Sequence, residues 1–527
     1  MNTDLFTTST RPVNTTNNAG GEAYAFDPKH ELAQYAMTGT FSNAAYSSAQ
    51  EQLTNLMDNV LPQIESEFVA KAAVYARTKG YMKDVPAVLC AWLAKHDLDN
   101  LKKVFPRVID NGKMLRNFAQ TIRSGVTGRK SFGHAPRRLV RNYLTGRTPE
   151  QLLRDSVGNK PSLGDIIKMV HPKAVNPAQN AMFSYLIDKP YDMEHLPMRV
   201  RDYIRWKNGE DVSFNSVSWA PFQLLTSKEL GTEEWAAIIR EGGWHMTRMN
   251  LNTAQRHGVF ESHPELIDVV AERLSDKDII AKARVFPYQL LAAYMNADEQ
   301  VPAPIRQALE SAVDSSLANI PDVDGGVAIL PDVSGSMSWS VTGDRPGASS
   351  KVRCIDVAAL VASAFHHKAG DRCTVVPFDT SVHTVKWDSE SVLENAQTLA
   401  NYGGGGTYCA LALQHLNETN HTGNLVVYVS DNESWVRPEG EERSYWYNDA
   451  GTSVMQEWNT YKSRNPNAKL VCIDIQPYGS TQAHDREDIL NIGGFSDNTF
   501  EVISRFASGN YEPENFVGEI ELVDLDG

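Results

Sequence analysis

Apolar residues recur at three- and four-residue intervals through the first part of the chain. Leu53, Leu56, Met57 and Val60 form one such stripe, and Phe68, Val69, Ala72, Ala73 and Ala76 form the next. That spacing puts side chains on one face of a helix. Further amphipathic stretches occupy residues 85–94, 101–109, 136–144, 149–157, 163–170 and 178–186, then 235–240, 264–274, 277–282, 287–295 and 305–317. Short polar or Pro/Gly breaks separate them, without strand-like alternation. Many short helices on short connections predict an α-solenoid of HEAT-like pairs, with a repeat period too irregular to establish it alone. Near residue 321 the pattern changes to short, continuous apolar runs separated by helical stretches, as in an α/β domain. The first residues are mostly Thr, Asn, Ser and Gly, with almost no apolar run, which predicts a disordered tail. The expected organisation is a tail over 1–26, a helical-repeat domain over 27–320 and an α/β domain over 321–527.

Two apolar runs of the second domain end in acids. Gly326-Val-Ala-Ile-Leu-Pro-Asp332-Val-Ser334-Gly-Ser336-Met337 places two hydroxyls at alternate positions after an aspartate. Asp332, Ser334 and Ser336 are thereby aimed at one point beyond the carboxyl end of a buried strand, where open α/β folds bind their ligands. Asn424-Leu-Val-Val-Tyr-Val429-Ser430-Asp431 repeats the logic, and Gly403-Gly-Gly-Gly406-Thr407 between them is a flexible loop ending in a hydroxyl. Glycines there let backbone approach an ion without a Cβ clash; no Gly-Lys-Ser/Thr follows, so this is not a phosphate loop. Taken singly, a Gly-rich loop is usually a turn and a strand-terminal Asp often caps a helix. Together, Asp332, Ser334, Ser336, Thr407 and Asp431 make a site for one divalent cation. Carboxylate and hydroxyl oxygens suit Mg2+ best, with Ca2+ or Mn2+ as alternatives. Asp379 and Glu433 are candidates for supporting positions. The Asp-x-Ser-x-Ser pattern looks like the start of a metal-ion-dependent adhesion site (MIDAS) in a von Willebrand factor A domain.

Charge separates the two halves. Residues 1–320 hold 37 Lys and Arg against 35 Asp and Glu, whereas residues 321–527 hold 13 against 30. Within the first half, residues 101–150 carry 12 basic and 2 acidic residues. A merely soluble helix face intersperses acids, so this local patch outweighs the net charge of −15 when nucleic acid is considered. Arg137, Arg138 and Arg141 project opposite an apolar stripe of Leu139, Val140, Tyr143 and Leu144. Gly146 ends that helix, and Thr148-Pro149 starts the next as cap and first residue. Upstream, Lys130 lies in a basic loop with Phe132, which could stack on a base; downstream, Lys168, His171 and Lys173 end a short helix. Arginine's planar fork suits phosphate. Lys130, Arg137, Arg138, Arg141, Lys168, His171 and Lys173 are the candidate nucleic-acid contacts, against the plainer reading of a solvated helix face.

Composition excludes several classes. Five cysteines (Cys90, Cys354, Cys373, Cys409 and Cys472) form no Cys-x-x-Cys pair and sit in apolar segments, which predicts buried reduced thiols and a cytoplasmic home. No signal peptide and no run of 18 apolar residues is present, so no membrane association is expected. His366-His367 lack zinc spacing, and no nucleophile motif stands at a strand end. A two-metal nuclease needs clustered carboxylates, and this site has two acids among five donors. No catalytic role is expected.

Together these features resemble the Ro autoantigen family, a helical TROVE module followed by a von Willebrand A domain, and most closely its bacterial members. The resemblance spans roughly residues 27–510. It rests on Ser162-Leu-Gly-Asp-Ile-Ile-Lys168-Met-Val-His171-Pro, Lys282-Ala-Arg284-Val-Phe-Pro287-Tyr-Gln-Leu-Leu, Asp332-Val-Ser-Gly-Ser-Met337, Gly405-Gly-Thr407 and Ser430-Asp431-Asn-Glu433. The loop over 338–350 is longer than the family pattern leads one to expect. The resemblance implies an all-α HEAT-like helical-repeat ring closed by a doubly wound, Rossmann-like α/β domain. It also implies small structured Y-like non-coding RNAs on a basic outer surface and single-stranded or misfolded RNA 3′ ends in the ring cavity. RNA quality control, maturation or decay beside an exoribonuclease such as polynucleotide phosphorylase follows, for a protein expected to be monomeric. The alternative is a metal-dependent adaptor whose A domain binds an acidic residue of a protein partner.

Overall fold

The structure is a computed structural model describing residues 12–38, 48–283, 287–316, 325–341, 352–387, 389, 391–431, 433–434, 452–476, 479–484, 486–494, 497–508 and 515–526. Residues 284–286 of the second family-like segment and most of the long loop after Met337 lie outside them. The chain divides into two compact units. One comprises residues 54–283, 297–309 and 520–527; the other comprises 1–53, 284–296 and 310–519.

Most of the helical unit follows the periodicity, whereas the helices Gly112–Ser124 and Met198–Lys207 lie outside the stretches it marks. Ser66–Thr78 packs on both Val85–His96 and Leu98–Val108, and Val85–His96 packs on Gly112–Ser124. Leu98–Val108 then meets His134–Thr145, and His134–Thr145 meets Leu163–Val170. Alternate helices therefore stack in two layers, the arrangement of HEAT-like pairs. Val85–His96 has ten buried residues out of twelve, so it lies between neighbours on every side. Side-chain caps set the starts: Asp97 accepts from the N–H groups of Asp99 and Asn100, and Ser162 and Thr148 each form a capping box, which satisfies amide groups a helix start leaves open. Thr148 and Pro149 take the cap and first positions read from the sequence. Residues 521–526 also belong to this unit: Lys71 Nζ donates to the Glu521 carbonyl (2.9 Å) and Lys103 pairs with Asp526 (2.6 Å).

The other unit holds the sheets. Its strands are β1 (Thr15–Thr16), β2 (Glu22–Ala25), β3 (Val327–Pro331), β4 (Cys373–Val375), β5 (Leu425–Ser430), β6 (Lys469–Asp474), β7 (Ser480–Thr481) and β8 (Ile489–Gly493). Five form a parallel sheet in the order β4-β3-β5-β6-β8. Every residue of β3 and β5 is buried, as expected where both faces of a parallel sheet are covered. The helix Cys354–Ala369 covers one face with twelve buried residues, and Trp458 and Tyr461 of Ser453–Arg464 pack with the sheet residues on another side of the core. All five cysteines are buried and free.

The N-terminal segment departs from expectation. Residues 12–26, assigned by composition to a disordered tail, form the hairpin β1–β2, and β2 pairs antiparallel with β7. Ala23 and Tyr24 are buried. Two apolar side chains among polar neighbours give almost no periodic signal, yet the exposed edge of β7 supplies a partner that only the folded chain provides. The helix Pro28–Thr38 likewise packs on β8.

Candidate functional site

In chain order the sheet reads 2-1-3-4-5, so connections leave β3 in one direction and β5 in the other. The carboxyl ends of β3 and β5 flank this switch point, where such sheets open a crevice. Asp332 follows β3 and Asp431 follows β5, both essentially inaccessible to solvent. The Asp332 N–H donates to the Val429 carbonyl (2.9 Å), which ties the first acid to the neighbouring strand. Asp332 Oδ1 accepts from the Ser334 N–H (2.8 Å) and Oδ2 from the Ser430 hydroxyl (2.6 Å). The Ser334 and Ser336 hydroxyls lie 3.2 Å apart.

The glycine loop is locked against these residues. The Gly335 N–H donates to the Gly405 carbonyl (2.9 Å) and the Gly404 N–H to the Val333 carbonyl (2.8 Å). Gly403 and Gly404 have φ of 76° and 108°, and a Cβ on Gly403 would sit 2.2 Å from the Val333 carbonyl oxygen. Only glycine tolerates that conformation and approach. Asp379 anchors the loop from behind: its Oδ2 accepts from the Gly405 N–H (3.1 Å), and its Oδ1 lies 3.0 Å from His383 Nε2. Burial raises the Asp379 pKa, but hydrogen bonds from Ser381, His383 and Gly405 outweigh it and hold the carboxyl below its ordinary value. Thr407, at the end of this loop, is buried.

The two acids of the centre crowd one buried space. Burial, then the neighbouring Asp431, pushes Asp332 up to about 7, and burial raises Asp431. Oδ2 of Asp431 is buried with no hydrogen-bond partner. An orphaned carboxylate oxygen beside a second acid and two hydroxyls is the polar deficit that a small hard cation relieves. Among the described residues no three His, Cys, Asp or Glu side chains gather as a metal cage; this centre draws on hydroxyls instead. The structure thus brings Asp332, Ser334 and Ser336 together and places Asp431 and Thr407 on the loops that close around them.

Sequence reasoning missed two neighbours. Ser430, read as strand, holds Asp332 through its hydroxyl. Asp474 ends β6 in register with Ser430 and is buried, repeating the apolar-run-then-acid signal of the other two strands. Glu433 is turned to the N-terminal hairpin, where Asn18 Nδ2 (3.2 Å) and the Ala19 N–H (3.0 Å) hold its two oxygens.

The basic candidates lie in the helical unit. Lys130, Arg137, Arg138, Lys168, His171 and Lys173 are exposed, whereas Arg141 is half-buried. Nε of Arg141 donates to the Val170 carbonyl at the end of Leu163–Val170, where His171 takes the left-handed conformation (φ 51°). Arg141 therefore seals a helix end and draws the Arg137–Arg138 helix against the segment carrying Lys168, His171 and Lys173. Among the described residues, no ion pair occupies Lys130, Arg137, Arg138, Lys168 or Lys173. Phe132, read as a possible stacking residue, is instead 4% exposed and packs near Phe118. Tyr143 lies under the Arg147 guanidinium and donates to Asp155 Oδ2 (2.7 Å), a structural role.

A parallel sheet with an acid-and-hydroxyl centre at its switch point, joined to stacked helical pairs, defines a von Willebrand A domain combined with a helical-repeat module. Residues 327–507 match the family described as the Ro60 vWA domain. The RNA-binding protein RO60 of Deinococcus radiodurans is 23% identical over 523 residues, covering 94% of this chain and 95% of that protein. That of Caenorhabditis elegans is 22% identical over 73% of this chain and 62% of its own length. The crystal structure of the Deinococcus radiodurans RO (RSR) protein superposes with a TM-score of 0.61 at 17% identity, covering 92% of this chain and all of that one. The chain is thus similar to the Ro proteins over nearly its whole length, and its residues 327–507 match the Ro60 A-domain model.

Proposed function

We propose that this chain is a non-catalytic RNA-binding protein. The observation that carries the reading is the adjacency of the two basic segments: Arg141 joins the Arg137–Arg138 helix to the end of Leu163–Val170. Lys130, Arg137, Arg138, Lys168 and Lys173 then offer exposed cations, and His171 an exposed imidazole donor, to phosphates of a folded RNA recognised by shape. The related proteins of Deinococcus and Caenorhabditis named for RNA binding support the same partner class. In this reading small structured, Y-like RNAs occupy the basic surface and unpaired or misfolded 3′ ends enter the cavity of a helical ring. Such a protein serves RNA maturation, quality control or decay beside an exoribonuclease such as polynucleotide phosphorylase. It acts as a monomer in the cytoplasm; among the described residues no helix is long and apolar enough to cross a membrane.

In the A domain, Asp332, Ser334, Ser336, Thr407 and Asp431 would hold one divalent cation, Mg2+ by preference. Bound there, the ion supplies a positive centre for an acidic side chain of a protein partner. The orphaned Asp431 oxygen supports this second function. The test compares two variants for binding of a structured small RNA. Replacing Arg137, Arg138, Lys168 and Lys173 by Ala should weaken RNA binding at least tenfold, while Asp332→Ala should leave it within about twofold. Unchanged RNA binding in the basic-residue variant overturns this reading.

A further inference from the structure

The hairpin turn between β1 and β2 grips the residues that follow Asp431. Asn17 Nδ2 donates to the Ser434 carbonyl (2.8 Å), and Asn18 Nδ2 and the Ala19 N–H take one Glu433 oxygen each. The turn is rigid. Asn17 N–H donates to the Gly21 carbonyl (2.9 Å), Asn17 Oδ1 accepts from the Gly21 N–H (2.7 Å), and Gly20 has φ of 85°. Contact is close enough that a Cβ on Gly21 would lie 1.9 Å from the Ser434 carbonyl oxygen. The hairpin is itself fastened, through β2–β7 pairing and through Tyr24, whose hydroxyl oxygen accepts from the Thr452 N–H (3.1 Å).

On its other side the gripped segment reaches the metal centre. The Glu433 N–H points to Asp431 Oδ1 (3.4 Å), and the Ser434 hydroxyl accepts from the Cys409 N–H (3.1 Å), two residues beyond Thr407. A loop that carries a ligand is useful only if its position is set before the ion arrives, since a mobile ligand loses affinity to the cost of ordering it. Glu433 and Ser434 are fully or nearly buried, and their partners come from more than 400 residues away in sequence.

We infer that the Asn17–Gly21 turn is a positioning clasp for the metal centre: through Glu433 and Ser434 it presets Asp431 to share a cation with Asp332. This rests on the metal reading above. Asn18 and Glu433 are positioning residues, acting through Asp431 without touching the ion.

The test is Mn2+ binding by the full chain, read from the loss of the free-ion electron paramagnetic resonance signal. Asn18→Asp sets a carboxylate against Glu433 and should weaken Mn2+ binding about tenfold. Adding Glu433→Gln removes the repulsion and should restore most of the loss, a coupling that general destabilisation would not produce. Circular dichroism melts check folding; if Asn18→Asp does not fold, Asn18→Ala should weaken binding severalfold. A folded Asn18 variant that binds within twofold of wild type, or a loss that Glu433→Gln does not relieve, overturns the clasp. Wild type without saturable Mn2+ binding overturns the metal reading and the clasp with it.

Discussion

Replacing Asp431 by Asn should stabilise the A domain without metal and abolish its response to Mg2+. Asp332 and Asp431 share one buried centre, and Asp332 is pushed from an ordinary 3.8 to about 7, by burial first and Asp431 second. Each pKa unit corresponds to about 1.4 kcal/mol, so ionising Asp332 in the native state costs on the order of 4 kcal/mol. The sign follows from linkage: with the folded pKa above the unfolded one, the deficit is absent below about pH 4 and complete above about pH 7. Asn keeps the shape of Asp431 and removes the repulsive share, so at pH 8 the metal-free variant should gain roughly 1–2 kcal/mol. Wild type should instead gain about 2.7 kcal/mol from Mg2+ at a hundred times its Kd. Hydrogen exchange of the β3 and β5 amides reports this unit specifically, with EDTA and with Mg2+. The reasoning fails if Asp431→Asn lowers protection in EDTA, or if Mg2+ protects variant and wild type equally.

The helical unit gives two contrasting expectations. Arg141→Ala frees the Val170 carbonyl and should cost about 1 kcal/mol in thermal melts, whereas Arg137→Ala and Arg138→Ala should stay within about 0.5 kcal/mol. Phe132→Ala should cost about 3 kcal/mol or more by denaturant unfolding, because the ring is buried; an RNA-binding loss with unchanged stability would instead restore its stacking role. In the A domain, burial raises the Asp488 pKa, but the Arg486 pair and the Trp458 indole (2.9 Å) outweigh it and hold the carboxyl below its usual range. Its contribution is therefore full above about pH 5 and drains away as pH falls through 4. Asp488→Asn should flatten that acid slope and cost about 1–3 kcal/mol at pH 7.

Much of this was legible where one local signal sufficed. The helix Leu163–Val170 begins at a Ser with an acid three residues on and carries an unbroken apolar stripe, so its bounds follow from sequence. The strand-end acids are equally plain, because a continuous apolar run has to be a buried strand here. Met198–Lys207 was missed: four of its ten residues are Arg or Lys, and only Val200, Tyr203 and Ile204 are buried. Arg141 and Arg138 look alike in sequence, yet one seals a helix end and the other meets solvent, a difference set by the packing of the helix Leu163–Val170. The hairpin on Glu433 was illegible for the same reason, since its partners lie more than 400 residues apart.

The central claim, that the exposed basic surface binds RNA, is tested most directly by anisotropy of a structured small RNA across a salt series. Wild type is to be compared with the chain carrying Ala at Arg137, Arg138, Lys168 and Lys173. Each duplex phosphate contact contributes about 0.9 to the slope of log affinity against log salt. The account predicts a steep wild-type slope that flattens by about 3.6 in the variant if each of the four side chains meets one phosphate, with both proteins equally stable. Weak binding with the same shallow slope in both would contradict it.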